Sequence, residues 1–212
     1  MPSCTPSSST VPITDLIPDV LMVVPQAPNI IIENALRRKA VEFSNRVRNL
    51  SCLVRTKSYA NVSGYPIELP AGFTPKAVRD VEVCGVCYDA IGKCGDRHAR
   101  GYTLSDDALW IDFTPAPRDT QFEGICMTVD YVLTMESACD IPREYFDQYA
   151  NTIVDGALAI IFAMQGQEWT NRSASESRER EFRRGISEAR EDIVAEKYSN
   201  TGIPLRGNTL IL

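Results

Sequence analysis

The chain contains a single histidine, His98, among 212 residues. Catalytic sites of the Ser-His-Asp or Cys-His type would have to use it as their base. It lies between Gly95 and Gly101 in a charged segment, which is typical of a loop that cannot hold a base in a fixed geometry. Phosphate-binding glycine loops and the H-E-x-x-H zinc motif are also missing from the sequence. These absences predict a protein that is not an enzyme and uses no cofactor.

Basic residues and long apolar runs are scarce as well. The chain has 22 Lys and Arg against 28 Asp and Glu, a formal net charge of −6, whereas proteins that hold nucleic acid carry a basic excess. We therefore expect DNA only as a passing contact. No stretch approaches the roughly 20 apolar residues that span a bilayer, and no secretory leader is recognised, so we expect no membrane partner. Seven cysteines without such a leader favour free thiols in a reducing compartment.

Five segments are predicted along the chain. Residues 1–28 hold six prolines, which block helix interiors, so this segment is predicted to be an extended arm. Residues 29–49 are predicted to form an amphipathic helix, because apolar residues recur every three or four positions. That stripe consists of Ile32, Leu36, Ala40, Phe43 and Val47.

In residues 50–139, apolar residues recur at every second position, which indicates strands with one buried face. The strongest alternation runs from Ile125 to Met135. A small antiparallel β domain of about four to six strands is predicted here, with Cys84 placed inside one of its strands.

Residues 140–199 return to a helical period and are predicted to form two helices. The first has Pro142 in its first turn and is apolar on nearly every side from Ala157 to Ala163. The second is predicted to begin near Asn171 to Ser173, where Ser173–Glu176 matches a capping box. The fold class is therefore predicted as α+β: a helical bundle of residues 29–49 and 140–199, with the β domain inserted and extended arms at both ends.

The C-terminal tail, residues 200–212, follows the last predicted helix and is rich in apolar side chains. A segment this short cannot build its own core, so we expect it to bind a partner, either another protein or a neighbouring subunit. The predicted partner-binding residues are Ile203, Leu205, Leu210, Ile211 and Leu212.

Two other features admit alternatives. Cys84, Cys87, Cys94 and His98 are ligand types suited to zinc, but we favour free thiols, because the β domain is large enough to fold without a metal. The basic residues of the first helix, among them Lys39, could face DNA. We favour a solvated face or salt bridges to the acidic last helix.

Three segments carry a resemblance to a known family. They run from Asp19-Val20-Leu21 to Glu42-Phe43, from Tyr65-Pro66-Ile67 to Val81, and from Tyr149 through Trp169-Thr170-Asn171 to Ala189. In order and spacing they resemble the head-to-tail adaptor proteins of tailed bacteriophages, also called connector or tail tubular A-like proteins. Arg172 replaces the proline usual after the Trp-x-Asn element, and the cysteine-rich stretch Cys84–Cys94 is not typical of the family.

The resemblance implies a structural virion protein at the head–tail junction, made in the host bacterial cytoplasm. Such subunits form a ring, usually of about twelve copies, with heterologous contacts between neighbours. The ring lies beneath the portal protein, receives the tail or nozzle protein, and forms part of the DNA conduit. The alternatives are another head- or tail-completion protein, such as a neck stopper or tail terminator, and less favourably a zinc-binding interaction module.

Overall fold

The computed structural model describes residues 10–47, 50–69, 73–91, 100–106 and 109–200, apart from the side chains of Glu144 and residues 196–200. The chain divides into two compact units. One contains the residues up to Asp15 together with Ala40–Gln148; the other contains Leu16–Lys39 and the chain from Tyr149 onward. We call them the sheet unit and the helical unit. None of the described helices is long and apolar enough to cross a membrane.

Helices and strands alternate in blocks along the chain. The described α-helices are α1 (Ile17–Leu21), α2 (Asn29–Val47), α3 (Arg143–Ala163) and α4 (Arg172–Asn200). The described strands are β1 (Thr10–Pro12), β2 (Leu50–Ser58), β3 (Gly64–Pro66), β4 (Phe73–Val83), β5 (Val86–Ala90), β6 (Gly101–Leu104), β7 (Trp110–Thr114), β8 (Gln121–Leu133) and β9 (Asp140–Pro142). Single 3-10 turns lie at Ile13–Leu16 and Ser137–Cys139.

The predicted fold class is wrong. The chain is a mixed α/β protein, 44% helical and 33% strand, so the β part is not a small insertion into a helical bundle. Seven of the described strands form one curled, half-barrel sheet in the order β2-β8-β4-β5-β6-β7-β3. The β5–β6 pair is parallel, while the other neighbouring pairs are antiparallel. The alternation of Tyr65, Ile67 and Leu69 predicts a strand where β3 lies. Strands β5 and β6 were not predicted, because they are too short to show a clear alternation.

Strand β8 lies second in the sheet and confirms the strongest alternation in the sequence. Ile125, Met127 and Val129 are each 0% exposed, and the residues between them are half-buried. Register shifts interrupt its pairing with β4 between Arg79 and Glu82, where Asp80 has a φ of 48°. An extra residue of this kind is a β-bulge, which bends and twists a strand. The bulge is therefore one source of the sheet's curl.

The turn between β4 and β5 corrects the placement of Cys84. That residue was predicted inside a strand, but β4 ends at Val83 and pairs with Val86 across the two-residue loop Cys84-Gly85. Both loop residues have positive φ, 52° and 80°, as in a type I′ hairpin turn. Cysteine is an uncommon residue for this position, which is why the sequence pattern did not indicate a turn.

The N-terminal arm is only partly extended. Residues 13–21 form a 3-10 turn followed by α1. Pro18 does not prevent this helix, because it lies in the first turn, where its missing N–H is tolerated. Leu16, Val20 and Val24 are at most 1% exposed, so this segment contributes to a core. Strand β1 precedes it and pairs with β9, where a helical turn had been predicted around Pro142.

The helical unit contains residues from α2, α3 and α4. The apolar stripe predicted for α2 is confirmed, since every member from Ile32 to Val47 is buried. Helix α4 begins at Arg172, within the predicted range. Its N-cap is Asn171, whose Oδ1 accepts a hydrogen bond from the Ala174 N–H at 3.0 Å, so Ser173 is not the capping residue.

Gly156 on α3 allows a close approach of neighbouring side chains. A Cβ at this position would lie 2.7 Å from Cδ2 of Phe182 and 2.9 Å from Cγ of Lys39. In a helix interior, alanine is ordinarily more stabilising than glycine by about 1 kcal/mol. At position 156, the added methyl group would overpack the contact and outweigh this gain in helix stability. We therefore expect Gly156→Ala to lower the free energy of unfolding by about 1–2 kcal/mol, as measured by urea denaturation. Phe182→Leu, which shortens the neighbouring side chain, is expected to reduce that loss in the double variant. A Gly156→Ala protein more stable than the wild type would contradict this packing.

Candidate interaction surfaces

The predicted partner-binding residues Ile203, Leu205, Leu210, Ile211 and Leu212 lie outside the described residues, as do Cys94 and His98. The role of the tail and a zinc site that includes Cys94 and His98 therefore stay predictions. Surfaces that could bind a partner must be sought among the other residues.

Cys84 and Cys87 have different surroundings. The Cys84 Sγ lies 3.5 Å from Ser58 Oγ and 3.9 Å from the Asp119 carbonyl oxygen. Cys87 is exposed on β5, opposite Glu82 of β4. In the part of the chain that the structure describes, no three His, Cys, Asp or Glu side chains come together as a metal site.

The basic residues of α2 are compensated by acidic neighbours. Arg37 pairs with Glu33 at 3.6 Å, and Arg46 pairs with Glu42 at 2.7 Å, both within the helix. Lys39 instead reaches α4, where its Nζ lies 2.8 Å from Glu179 Oε2. The predicted bridge to the last helix is thus confirmed for Lys39, whereas Arg37 and Arg46 pair inside α2.

Lys39 is a buried residue that the sequence reading missed. It is 6% exposed, and its Nζ lies 4.3 Å from the ring centroid of Phe182, a cation–π geometry. Lysine is almost never buried without a partner, so a basic side chain was assigned to the solvated face. The spacing could have indicated its burial, because position 39 lies three residues after Leu36, on the apolar side of the helix.

The carboxylate of Glu179 completes this cluster. Its Oε1 accepts a hydrogen bond from Arg183 Nε at 3.1 Å, in addition to the contact with Lys39. Burial acts to raise the pKa of Glu179, but the hydrogen bonds and charges of Lys39 and Arg183 outweigh it and lower that pKa below its usual range. The cluster ties α2 to α4 within the helical unit.

One set of exposed apolar side chains lies in the helical unit, between the end of α1 and the first turn of α2. Met22 is 78% exposed, Ile30 is 64% exposed, and Val23 is also exposed. Exposed methionine and large aliphatic side chains are frequent at protein-binding surfaces. We call these three residues the helical-unit patch.

A second set lies in the sheet unit, at the connection between β6 and β7. It consists of Leu109 and Trp110, the second of which is 44% exposed. The indole of Trp110 lies against Gly64 of β3, where a Cβ would be 2.7 Å from the Trp110 Nε1. Tryptophan is enriched at protein interfaces and among the residues that dominate binding energy. We call this set the hairpin patch.

No protein-family model matches the chain, and no curated protein matches it in sequence. The resemblance to phage adaptors therefore rests on the residues that carry it. The described surface clusters are aliphatic, aromatic or ion-paired, which is the chemistry of contacts between proteins.

Proposed function

We propose that this chain is a structural virion protein: a head-to-tail adaptor subunit that assembles as a ring beneath the portal of a tailed bacteriophage. The ring joins the DNA-filled head to the tail or nozzle protein and forms part of the channel through which the genome passes. Its partners in this role are the portal, the tail protein and further copies of itself.

The observation that carries the proposal is the pair of exposed patches, one on each unit. A closed ring is built from heterologous contacts, so each subunit must present two different surfaces to its two neighbours. The helical-unit patch contains methionine and aliphatic residues, whereas the hairpin patch contains tryptophan and leucine.

The net charge of −6 agrees with a passing contact to DNA. An acidic channel lining repels phosphates and lets a genome slide, whereas a basic lining would retain it. The apolar tail, residues 203–212, supplies a further segment suited to docking on a different protein.

The proposal predicts a ring on the portal that depends on both patches. Mixing the full chain with the portal of its own phage is expected to add a ring of density in negative-stain electron micrographs. Met22→Ser changes a side chain that is 78% exposed, and it is expected to weaken ring formation without lowering the melting temperature. Trp110→Ser is expected to weaken ring formation too, with some loss of melting temperature because its indole packs against Gly64. Val194→Ser, which changes another exposed apolar residue (52%) on α4, is the matched control and is expected to assemble normally.

Removing residues 203–212 tests the tail in the same assay. We expect an almost unchanged melting temperature and a loss of portal binding, since ten residues containing Pro204 and Gly207 cannot form a core of their own. A full-length chain that adds no density to the portal would refute the adaptor proposal. If the truncated chain still binds the portal, the portal contact lies on one of the described surfaces and not on the tail.

A further inference from the structure

The seven-stranded sheet has two end strands of very different character. Among the described strands, β2 has only β8 as its neighbour and β3 has only β7. End strands turn backbone N–H and C=O groups outward, where another strand can pair with them. Strand β2 is nine residues long, while β3 has three and includes Pro66.

The segment after β3 lengthens the shorter edge. Ile67 donates a backbone hydrogen bond to the Leu109 carbonyl oxygen at 2.8 Å, so the chain stays extended beyond β3. Tyr65 and Ile67 are buried, whereas Pro66 and Glu68 are exposed. This alternation matches that of β2, where Leu53, Arg55 and Lys57 are exposed on the outer face. Both edges therefore have an apolar inner face and a polar outer face.

The two edges carry opposite charges. On β2, Arg55 binds Glu123 at 3.0 Å, while the Lys57 Nζ lies 4.9 Å from the ring centroid of the exposed Tyr59. On the β3 side, the exposed side chains are carboxylates: Glu68, and Asp112 directly opposite Gly64. Apart from the Arg55–Glu123 pair, the exposed charged side chain on β2 is therefore the cation Lys57, whereas those beside β3 are the carboxylates Glu68 and Asp112.

We propose that the β2 edge of one copy pairs with the β3 edge of the next copy, so that the sheet continues from subunit to subunit and Lys57 faces Glu68. The inference rests on the proposed ring and names one of its contacts. A head-to-tail pairing of two different edges is heterologous, the kind of contact that closes a ring. Pairing β2 with β2 would bring like charges together, and so would pairing β3 with β3.

The same geometry explains why such a contact would be weak between two isolated copies. Pro66 has no N–H, and proline on an edge strand limits the number of ladder hydrogen bonds. Only a few backbone bonds can form on the β3 side. A contact of this size is effective when it is repeated around a ring that the portal holds in place.

A charge exchange tests the pairing. Lys57→Glu and Glu68→Lys, each alone, are expected to raise the half-saturating concentration for ring formation on the portal roughly tenfold, because an attraction becomes a repulsion. A 1:1 mixture of the two variants is expected to assemble like the wild type, since every contact in an alternating ring is again between opposite charges. Lys76→Glu makes the same charge change on an exposed position of β4, inside the sheet, and is expected to have little effect.

A zero-length carbodiimide crosslink locates the contact directly. In a ring of mixed isotope-labelled and unlabelled chains, we expect peptides that join Lys57 of one label to Glu68 of the other. Four results would each overturn the edge pairing and leave the adaptor proposal standing. They are normal assembly of Lys57→Glu, equal effects of Lys57→Glu and Lys76→Glu, a mixture that does not recover assembly, and a ring without the crosslink. Failure of the wild-type chain to form a ring on the portal would instead refute the adaptor proposal, and the pairing with it.

Discussion

Glu179→Ala is expected to lower the free energy of unfolding by about 3 kcal/mol, toward the low end of what breaking a buried ion pair costs. The substitution removes the carboxylate that lies 2.8 Å from the Lys39 Nζ, while Lys39 keeps 6% exposure. A buried ammonium that loses its carboxylate retains its desolvation cost. The estimate is at the low end because the Glu179 side chain is itself 26% exposed. Urea denaturation monitored by circular dichroism measures the loss.

Replacing both partners separates the charge from the packing. The double variant Lys39→Met, Glu179→Leu removes the pair and fills its volume, and we expect it to lie within about 1 kcal/mol of the wild type, because apolar replacement of buried pairs is often neutral. A double variant as unstable as Glu179→Ala would show that packing around Lys39, rather than the charge, is what the cluster contributes.

The same cluster sets a pH dependence. Because the pKa of Glu179 is lowered in the folded protein, its contribution is present above the ordinary pKa of a glutamate and is lost as the pH falls through the lowered value. The stability difference between wild type and Glu179→Gln should therefore shrink in acid. A difference that stayed constant down to the lowest measurable pH would mean that the carboxylate charge has no role.

Ile161→Asp is expected to have the largest effect in the helical unit, a loss of several kcal/mol that leaves the protein unfolded or insoluble. Ile161 on α3 is 0% exposed, so a carboxylate there would be buried among apolar side chains. The adjacent Ile160 is only half-buried and supplies the matched control. The same change at position 160 is expected to give soluble, folded protein with a loss of roughly 1 kcal/mol, as for a typical destabilising substitution.

Soluble expression and thermal melting of the two variants measure the contrast. Equal solubility, or a greater loss at position 160, would mean that α3 is rotated from the orientation described. The sequence predicts Ile160 as the core position, because it follows Ile153 and Gly156 at helical spacing. The structure instead buries Ile161 fully and Ile160 only in part.

Long elements could be predicted from the sequence because they contain several repeats of their period. Helix α2 has five stripe positions and was predicted with close boundaries. Strand β8 was recognised from the alternation that begins at Ile125, but it starts earlier, at Gln121, and ends at Leu133 rather than at Met135. The short strands β1 and β9 carry too few residues for any pattern to emerge. Their pairing joins residues about 130 positions apart, a contact that no local period can indicate.

The fold class was wrong for a related reason. Local periods indicate where strands are, but not how many join one sheet or how far the sheet curls. The turn at Cys84-Gly85 and the bulge at Asp80 depend on positive φ values at residues that ordinarily avoid them. Burial of Lys39 depends on Glu179 and Phe182, which are distant in sequence and were not assigned to it. The candidate surfaces likewise combine residues whose exposure becomes known only after folding.

The order in which the chain is synthesised matters for the helical unit, because its two parts are separated by residues 40–148. A nascent chain can complete the sheet unit while Tyr149 and the residues beyond it are still inside the ribosome. Until they emerge, the segment Leu16–Lys39 lacks the helices α3 and α4 of its own unit. Its apolar side chains, among them Leu16, Val20 and Leu36, are then a transient site for chaperones or for misassociation with other nascent chains.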